Sequence, residues 1–241
     1  MLIVVATVTS ACSGRPGLFR QYEYEEEMYL SLDGTANMYV NSSIAALDAL
    51  RGASFDTRPT ALVDRNAVRA YFSTPITHVR RVATSRRSNR QFVHLRIDVD
   101  DIRRLPEAVP FAWSSYRFDR SDDSYLYRQT VGPGASKDVG HVGWNGREVV
   151  AFRLHLPSKI SFHNTRRDIE RGNILVWEQT LADRLRGAPL TLEARMETQS
   201  ILYHALWLFG STFVAVAITF ALVIWWVLRR ATPSVAEAQP R

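Results

Sequence analysis

The chain has 241 residues, 46% of them hydrophobic, and carries 30 basic against 24 acidic side chains, a formal charge of +6. So small a surplus argues against nucleic acid as a partner; Lys137 and Lys159 are the only lysines, and the arginine skew reads as genome composition rather than a phosphate-reading surface. The single cysteine, Cys12, excludes an intramolecular disulfide.

The chain opens MLIVVATVTSAC. Residues 2–8 are an apolar run at the lower limit of a signal-peptide core. Thr9, Ser10 and Ala11 are small and precede Cys12. Segment 1–12 resembles the lipobox of bacterial lipoproteins, in which the cysteine is acylated and becomes the new N-terminus, so Cys12 is the expected lipidation site. Thr9 stands where an aliphatic residue is usual, and no basic residue precedes the apolar run.

The domain expected over 20–198 reads mostly as strands. Tyr22, Tyr24, Met28, Leu30 and Leu32 share one side of an alternating segment, and Glu23, Glu25, Glu27 and Ser31 the other. Asp33-Gly34 predicts a type I′ hairpin turn, after which Ala36, Met38 and Val40 point inward. Ser42 or Ser43 caps a helix with Ile44, Leu47 and Leu50 on its face and Gly52 at its end. A second short helix is predicted over 64–72, ended by Pro75. Residues 76–99 read as a hairpin with SRRSNRQ at its tip and Val93, Leu95, Ile97 and Val99 alternating with His94, Arg96 and Asp98. A helical turn near 100–105 stops at Pro106. A third hairpin is centred on Asp122-Asp123, and VGPGASKDVGHVGWNG is a long loop. Strands resume at EVVAFRLHLP, NILVWEQTL and PLTLEARM. The expected class is α+β: a mostly antiparallel sheet, as a sandwich or half-barrel, with two or three short helices.

Residues 205–228 carry no formal charge over 24 positions. About 20 apolar residues suffice to cross a hydrocarbon core, and Trp207, Trp225 and Trp226 suit the aromatic belts at its two surfaces. A transmembrane helix is expected over 203–228. Arg229 and Arg230 follow directly, while the nine residues before Ala205 hold no Arg or Lys. The positive-inside bias then puts the tail 229–241 in the cytoplasm and the domain outside a bacterial cytoplasmic membrane, in a single-pass topology. The competing topology is a tail anchor with a cytosolic domain. Ser211, Ala215 and Thr219 at four-residue spacing would admit a second helix; a monomeric anchor is the simpler reading, and the oligomeric state stays open.

LPSKISFHN through GNILVWEQ contains Leu156, Pro157, Lys159, Asn164, Gly172 and Trp177. A strand ending in Leu-Pro, a small residue and Lys, then Asn, then Gly-x-x-x-x-Trp resembles the LppM-type bacterial envelope lipoproteins. YLSLDGTANMYVN is similar to the opening of that group. The resemblance implies an N-terminal lipobox, one α+β domain, a C-terminal membrane helix and an envelope role in contact with lipids. It implies no catalytic residue.

Chemistry is sparse. The histidines show no metal-motif spacing; His155 and His163, across a turn, read as a solvated or satisfied pair. There is no Gly-x-Ser-x-Gly elbow, phosphate loop or paired-cysteine site. No catalytic residue, metal or cofactor is expected. Two features point to binding. Arg86, Arg87 and Arg90 at the hairpin tip could grip lipid phosphates through bidentate guanidinium forks, the plainer reading being a solvated tip that blunts an edge. Glu26 falls on the apolar side between Tyr24 and Met28. It reads either as a ligand-facing group in an aromatic-walled cavity with Tyr22 and Tyr24, or as a residue in a strand bulge or paired with an arginine across the sheet. The leading expectation is a binding domain whose partners are the lipid bilayer and either anionic lipid headgroups or a membrane protein. The alternatives are an interaction subunit of an envelope complex without a ligand pocket, and an enzyme whose site assembles from distant residues.

Overall fold

In the computed structural model the described residues are 22–230; Cys12, the rest of segment 1–12 and the tail 231–241 lie outside them. In chain order they form β1 (Tyr22–Leu30), β2 (Ala36–Ser43), α1 (Ile44–Arg51), α2 (Arg65–Phe72), β3 (Thr77–Arg87), β4 (Arg90–Val99), two 3-10 turns (Ile102–Glu107 and Val109–Phe111), β5 (Ser114–Arg120), β6 (Ser124–Val131), β7 (Val149–His155), β8 (Ser158–His163), β9 (Ile174–Thr180), α3 (Leu181–Leu185), β10 (Leu190–Ser200) and α4 (Ile201–Arg230). Two sheets result, ordered β3-β4-β2-β1-β7-β9 and β5-β6-β10-β8. Neighbours are antiparallel except β1 and β7. That parallel pair needs a long crossover, here the whole excursion through β2 to β6. The fold is the expected α+β class; β8 and α3 are elements the sequence pattern did not reveal.

Local chemistry explains the boundaries. Ser43 caps α1 by accepting from Ala46 N at 3.1 Å, and Gly52 ends it in the left-handed region at φ +70°. Asp64 caps α2 through Asn66 N and Ala67 N. The type I′ turn falls on Ser88 and Asn89, with φ of 48° and 58°, in the β3–β4 hairpin. The loop at Asp33-Gly34 is different: Gly34 takes positive φ and Asp33 does not. Asp33 Oδ1 accepts from Thr35 N at 2.9 Å instead, and Ser31 N donates to Thr35 O. Pro106 sits inside a 3-10 turn rather than ending one.

The inner faces of both sheets and α1 and α2 share one apolar cluster, including Met38, Leu95, Phe152, Leu47, Phe72, Tyr127 and Leu192. Each such large side chain contributes about 1.5–3 kcal/mol on burial. Every residue of α1 is buried, Asp48 and Arg51 included. Polar groups there must find partners inside the protein, and Asp48 accepts from Phe55 N at 3.1 Å with both oxygens.

The pairing of β1 with β7 jumps from Tyr22↔Val149 to Tyr24↔Val150. This irregularity corrects the expected side assignment. Tyr22 turns to the outer face, where its hydroxyl donates to Glu178 Oε1 at 2.7 Å. Glu23 becomes fully buried.

β10 runs into α4 without a loop; Ser200 Oγ accepts from Leu202 N and donates to Pro157 O. α4 has 30 residues, about 45 Å at 1.5 Å per residue. Its segment Ala205–Arg230 has a mean hydropathy of 2.2 and no burial against the rest of the protein, so it is long and apolar enough to cross a membrane. Ser211, Thr212 and Thr219 bond their hydroxyls to carbonyls of the preceding turn. This removes the cost of bare hydroxyls in hydrocarbon.

Candidate functional site

Glu26 lies on the inner face of β1, 2% exposed, where the two sheets meet. Its Oε2 accepts from Arg51 at 2.6 Å and from the Tyr24 hydroxyl at 2.8 Å. Its Oε1 accepts from Tyr116 at 3.2 Å and Gln129 at 3.4 Å. Arg51 also donates to the carbonyl of Pro110, and its guanidinium stacks on Trp113, 4.1 Å from the ring centroid. Burial pushes the Glu26 carboxyl up to about 7, the bonds from Tyr116 and Gln129 opposing. Burial likewise pulls Arg51 down to about 9. The structure joins Glu26 with Tyr24 but not with Tyr22, which faces the other way. Glu26 is met by protein donors from α1, β5 and β6, and its arginine partner comes from a helix rather than across the sheet. The sequence carried one clue to Arg51: IAALDALR is apolar on more than one face, so a charge at its end was bound to be buried and paired. Tyr116 and Gln129 had no such signal, being more than 80 residues away.

Arg90 is corrected in the same way. It is buried, not at an exposed tip, and pairs with Glu23 at 2.7 Å. Glu23 also accepts from Trp144 Nε1 at 3.2 Å, and Arg90 donates to Gly143 O at 2.8 Å. Together they pin the long loop before β7 to the sheet. Arg86 and Arg87 do lie at the exposed tip. Arg86 donates to Asn89 at 2.6 Å; Arg87 donates to Tyr22 O and covers Phe92. The tip is at the end of the large sheet where β1 and β7 begin, whereas Ser200 pairs with Ser158 just after β7 ends. The tip is therefore a strand length, about 30 Å, from the point where the chain enters α4.

The outer face of the large sheet is polar and densely paired. Glu25 accepts from Arg153 at 2.7 Å and Asn41 at 3.1 Å. Glu27 meets His155 at 2.6 Å, and His155 stacks on Tyr29 at 3.8 Å between ring centroids. The His155 bond is the chief reason the Glu27 carboxyl is held below the usual range. His163 is on the other sheet, opposite Ala194, so the two histidines do not form a pair. Among the described residues no three His, Cys, Asp or Glu side chains are grouped to hold a metal.

The motif residues near β8 and β9 serve the architecture. Asn164 accepts from Trp177 Nε1 and Glu193 N, each at 2.9 Å, and donates to Thr191 O at 2.8 Å, so it ties β9 to β10 across the two sheets. Gly172 and Asn173 take positive φ, and Asn173 donates to the carbonyls of Leu156 and Ser158. Lys159 pairs with Glu197 on the surface. A cleft of about 630 Å³ opens beside Asn164, Trp177 and Asp183, with Arg167 and Glu178 paired at its wall.

No protein-family model and no curated protein matches the chain. Among solved structures it is similar to the folded domain of LppM from Mycobacterium tuberculosis, determined by NMR, with 15% identity and a TM-score of 0.40 over 76% of this chain and 95% of that one.

Proposed function

We propose that this chain is a single-pass, membrane-tethered binding domain of the bacterial envelope. α4 holds it in the cytoplasmic membrane, with the two-sheet domain outside and the tail inside. The observation that carries this reading is α4 itself, a 30-residue apolar helix continuous with β10. Arg229 and Arg230 fold back over Trp225 and Trp226, at 4.3 and 3.8 Å from the ring centroids, in the manner of an interfacial anchor. The domain works by binding rather than catalysis. In support, the deeply buried carboxylates Glu23 and Glu26 each have protein partners, which suits them to holding the fold.

Sidedness is testable with a membrane-impermeant maleimide on bacterial spheroplasts. In a Cys12→Ser background, Asp122→Cys should label in intact spheroplasts and Ala236→Cys only after permeabilisation. The reverse pattern would overturn the reading and place the domain in the cytosol.

A further inference from the structure

The outer face of the large sheet pairs most of its charges, with one exception. The β3–β4 register jumps between Val79 and Arg81, so Arg80 and Arg81 together oppose Arg96. Such a bulge turns two consecutive side chains to one face. Arg80 is answered by Asp98 at 2.5 Å. Arg81 and Arg96, both exposed, face each other directly across the strand pair. Like charges so placed repel. Among the described residues no carboxylate lies within ion-pair distance of either. The nearby acids are engaged: Glu25 by Arg153 and Asn41, Glu27 by His155, Asp100 by His78. His94, between Ser85 at 2.8 Å and Asn41 at 2.9 Å, is held below its usual range by burial and by Arg87. Arg80, Arg81, Arg96, His94 and Asn41 line a cleft of about 570 Å³ that also includes Tyr39, with the Arg96 guanidinium 6.0 Å from its ring centroid.

We infer that this cleft is a binding site for a phosphate-type oxyanion, held between the Arg81 and Arg96 guanidiniums. Three guanidiniums against one carboxylate leave two positive charges, which match a phosphate dianion. The planar forks of opposed arginines can each offer two parallel N–H donors to it. A ligand of this kind would offset the repulsion between Arg81 and Arg96. The site does not depend on which side of a membrane the domain occupies. The phosphate could be soluble or a lipid headgroup; Arg96 is three residues from the end of β4, about 10 Å from the same edge of the sheet as the β10–α4 junction.

The test uses the full chain in phosphatidylcholine nanodiscs. Inorganic phosphate is titrated at constant ionic strength, with the thermal midpoint as readout, on wild type, Arg81→Gln, Arg96→Gln and the double variant. A second set of discs is doped with phosphatidic acid. Wild type should be stabilised by phosphate, and each single variant should bind about tenfold more weakly or worse, as expected for loss of a charge-assisted bond. Without phosphate the double variant should be at least as stable as wild type, since it loses a like-charge pair. An arginine-dependent shift from free phosphate upholds a soluble ligand; one seen only with phosphatidic acid upholds a headgroup. Equal shifts in wild type and the double variant, or no shift in either disc, would overturn the site.

Discussion

Arg51, the last residue of α1, places its guanidinium 2.6 Å from the carboxylate of Glu26 on β1, with both side chains buried. This one contact joins the first helix to the large sheet, and through Tyr116 and Gln129 to the small sheet. Removing either member leaves the other as an unpaired buried charge, which costs more than the pair itself is worth.

Arg51→Met is therefore expected to destabilise the protein by about 3–5 kcal/mol, and Glu26→Leu, which leaves Arg51 without its partner, to be strongly destabilising as well. The double variant Glu26→Leu/Arg51→Met should lose much less than the sum, because neither charge remains. Urea unfolding of the four proteins measures the coupling; simple additivity would show that the contact carries no energy.

The same carboxyl gives a pH dependence of definite sign. Its folded value, about 7, is above the ordinary glutamate value of 4.5. The folded state thus binds the proton more tightly, and the stability this contributes is complete below pH 4.5 and lost as pH rises through about 7. Glu27, held low by His155, acts with the opposite sign below that window. Wild type should be less stable at pH 8 than at pH 5.5, and Glu26→Gln should lack that slope. An unchanged slope in the variant would assign it to another group.

Asn164→Ala removes three side-chain bonds, one to β9 of the large sheet and two to β10 of the small sheet, and strands the buried indole N–H of Trp177. The expected cost is about 2–3 kcal/mol. Asn164→Asp, which keeps the acceptor and loses the donor, should cost less. Thermal unfolding of both variants decides whether the side chain's acceptor role dominates.

Gly132 is constrained by space. A Cβ there would be 2.6 Å from the backbone oxygen of Trp113, to which Gly132 N already donates at 2.7 Å. Gly132→Ala must shift the β6 end or the Trp113 backbone, at about 1–3 kcal/mol. Gly134→Ala, whose nearest neighbour is the Leu50 Cδ2 methyl at 3.2 Å with backbone no closer than 3.5 Å, should be milder. Comparing midpoints, with Trp fluorescence as a probe, tests the ranking.

Much of the secondary structure was legible because alternation and caps act locally. Ser43 and Gly52 bound α1 as their side-chain chemistry requires, and Ser88-Asn89 supplies the tight turn inside the expected tip. β8 was hidden because SKISFH buries only Ser158 and so offers little apolar contrast. Asp33-Gly34 forms a turn other than the expected type I′ because an Asp that bonds Thr35 through its side chain has no need of positive φ. The candidate site was legible only in part. Alternation found Glu26 inside, yet it placed Tyr22 beside it and Glu23 outside, since one irregular step in β1 reverses every later assignment toward the strand's start.

What the sequence by itself determined is the set of properties that depend on neighbours along the chain: an α+β domain, its main hairpins and first two helices, and a closing helix apolar enough to span a bilayer. Tertiary structure alone decided which charges are buried and with whom. Glu23 met Arg90 across 67 positions, Glu26 met Arg51 across 25, and Arg81 was set against Arg96 by a bulge. Desolvation and Coulomb attraction depend on distance in space, and strand register sets that distance only once the two sheets have closed on each other.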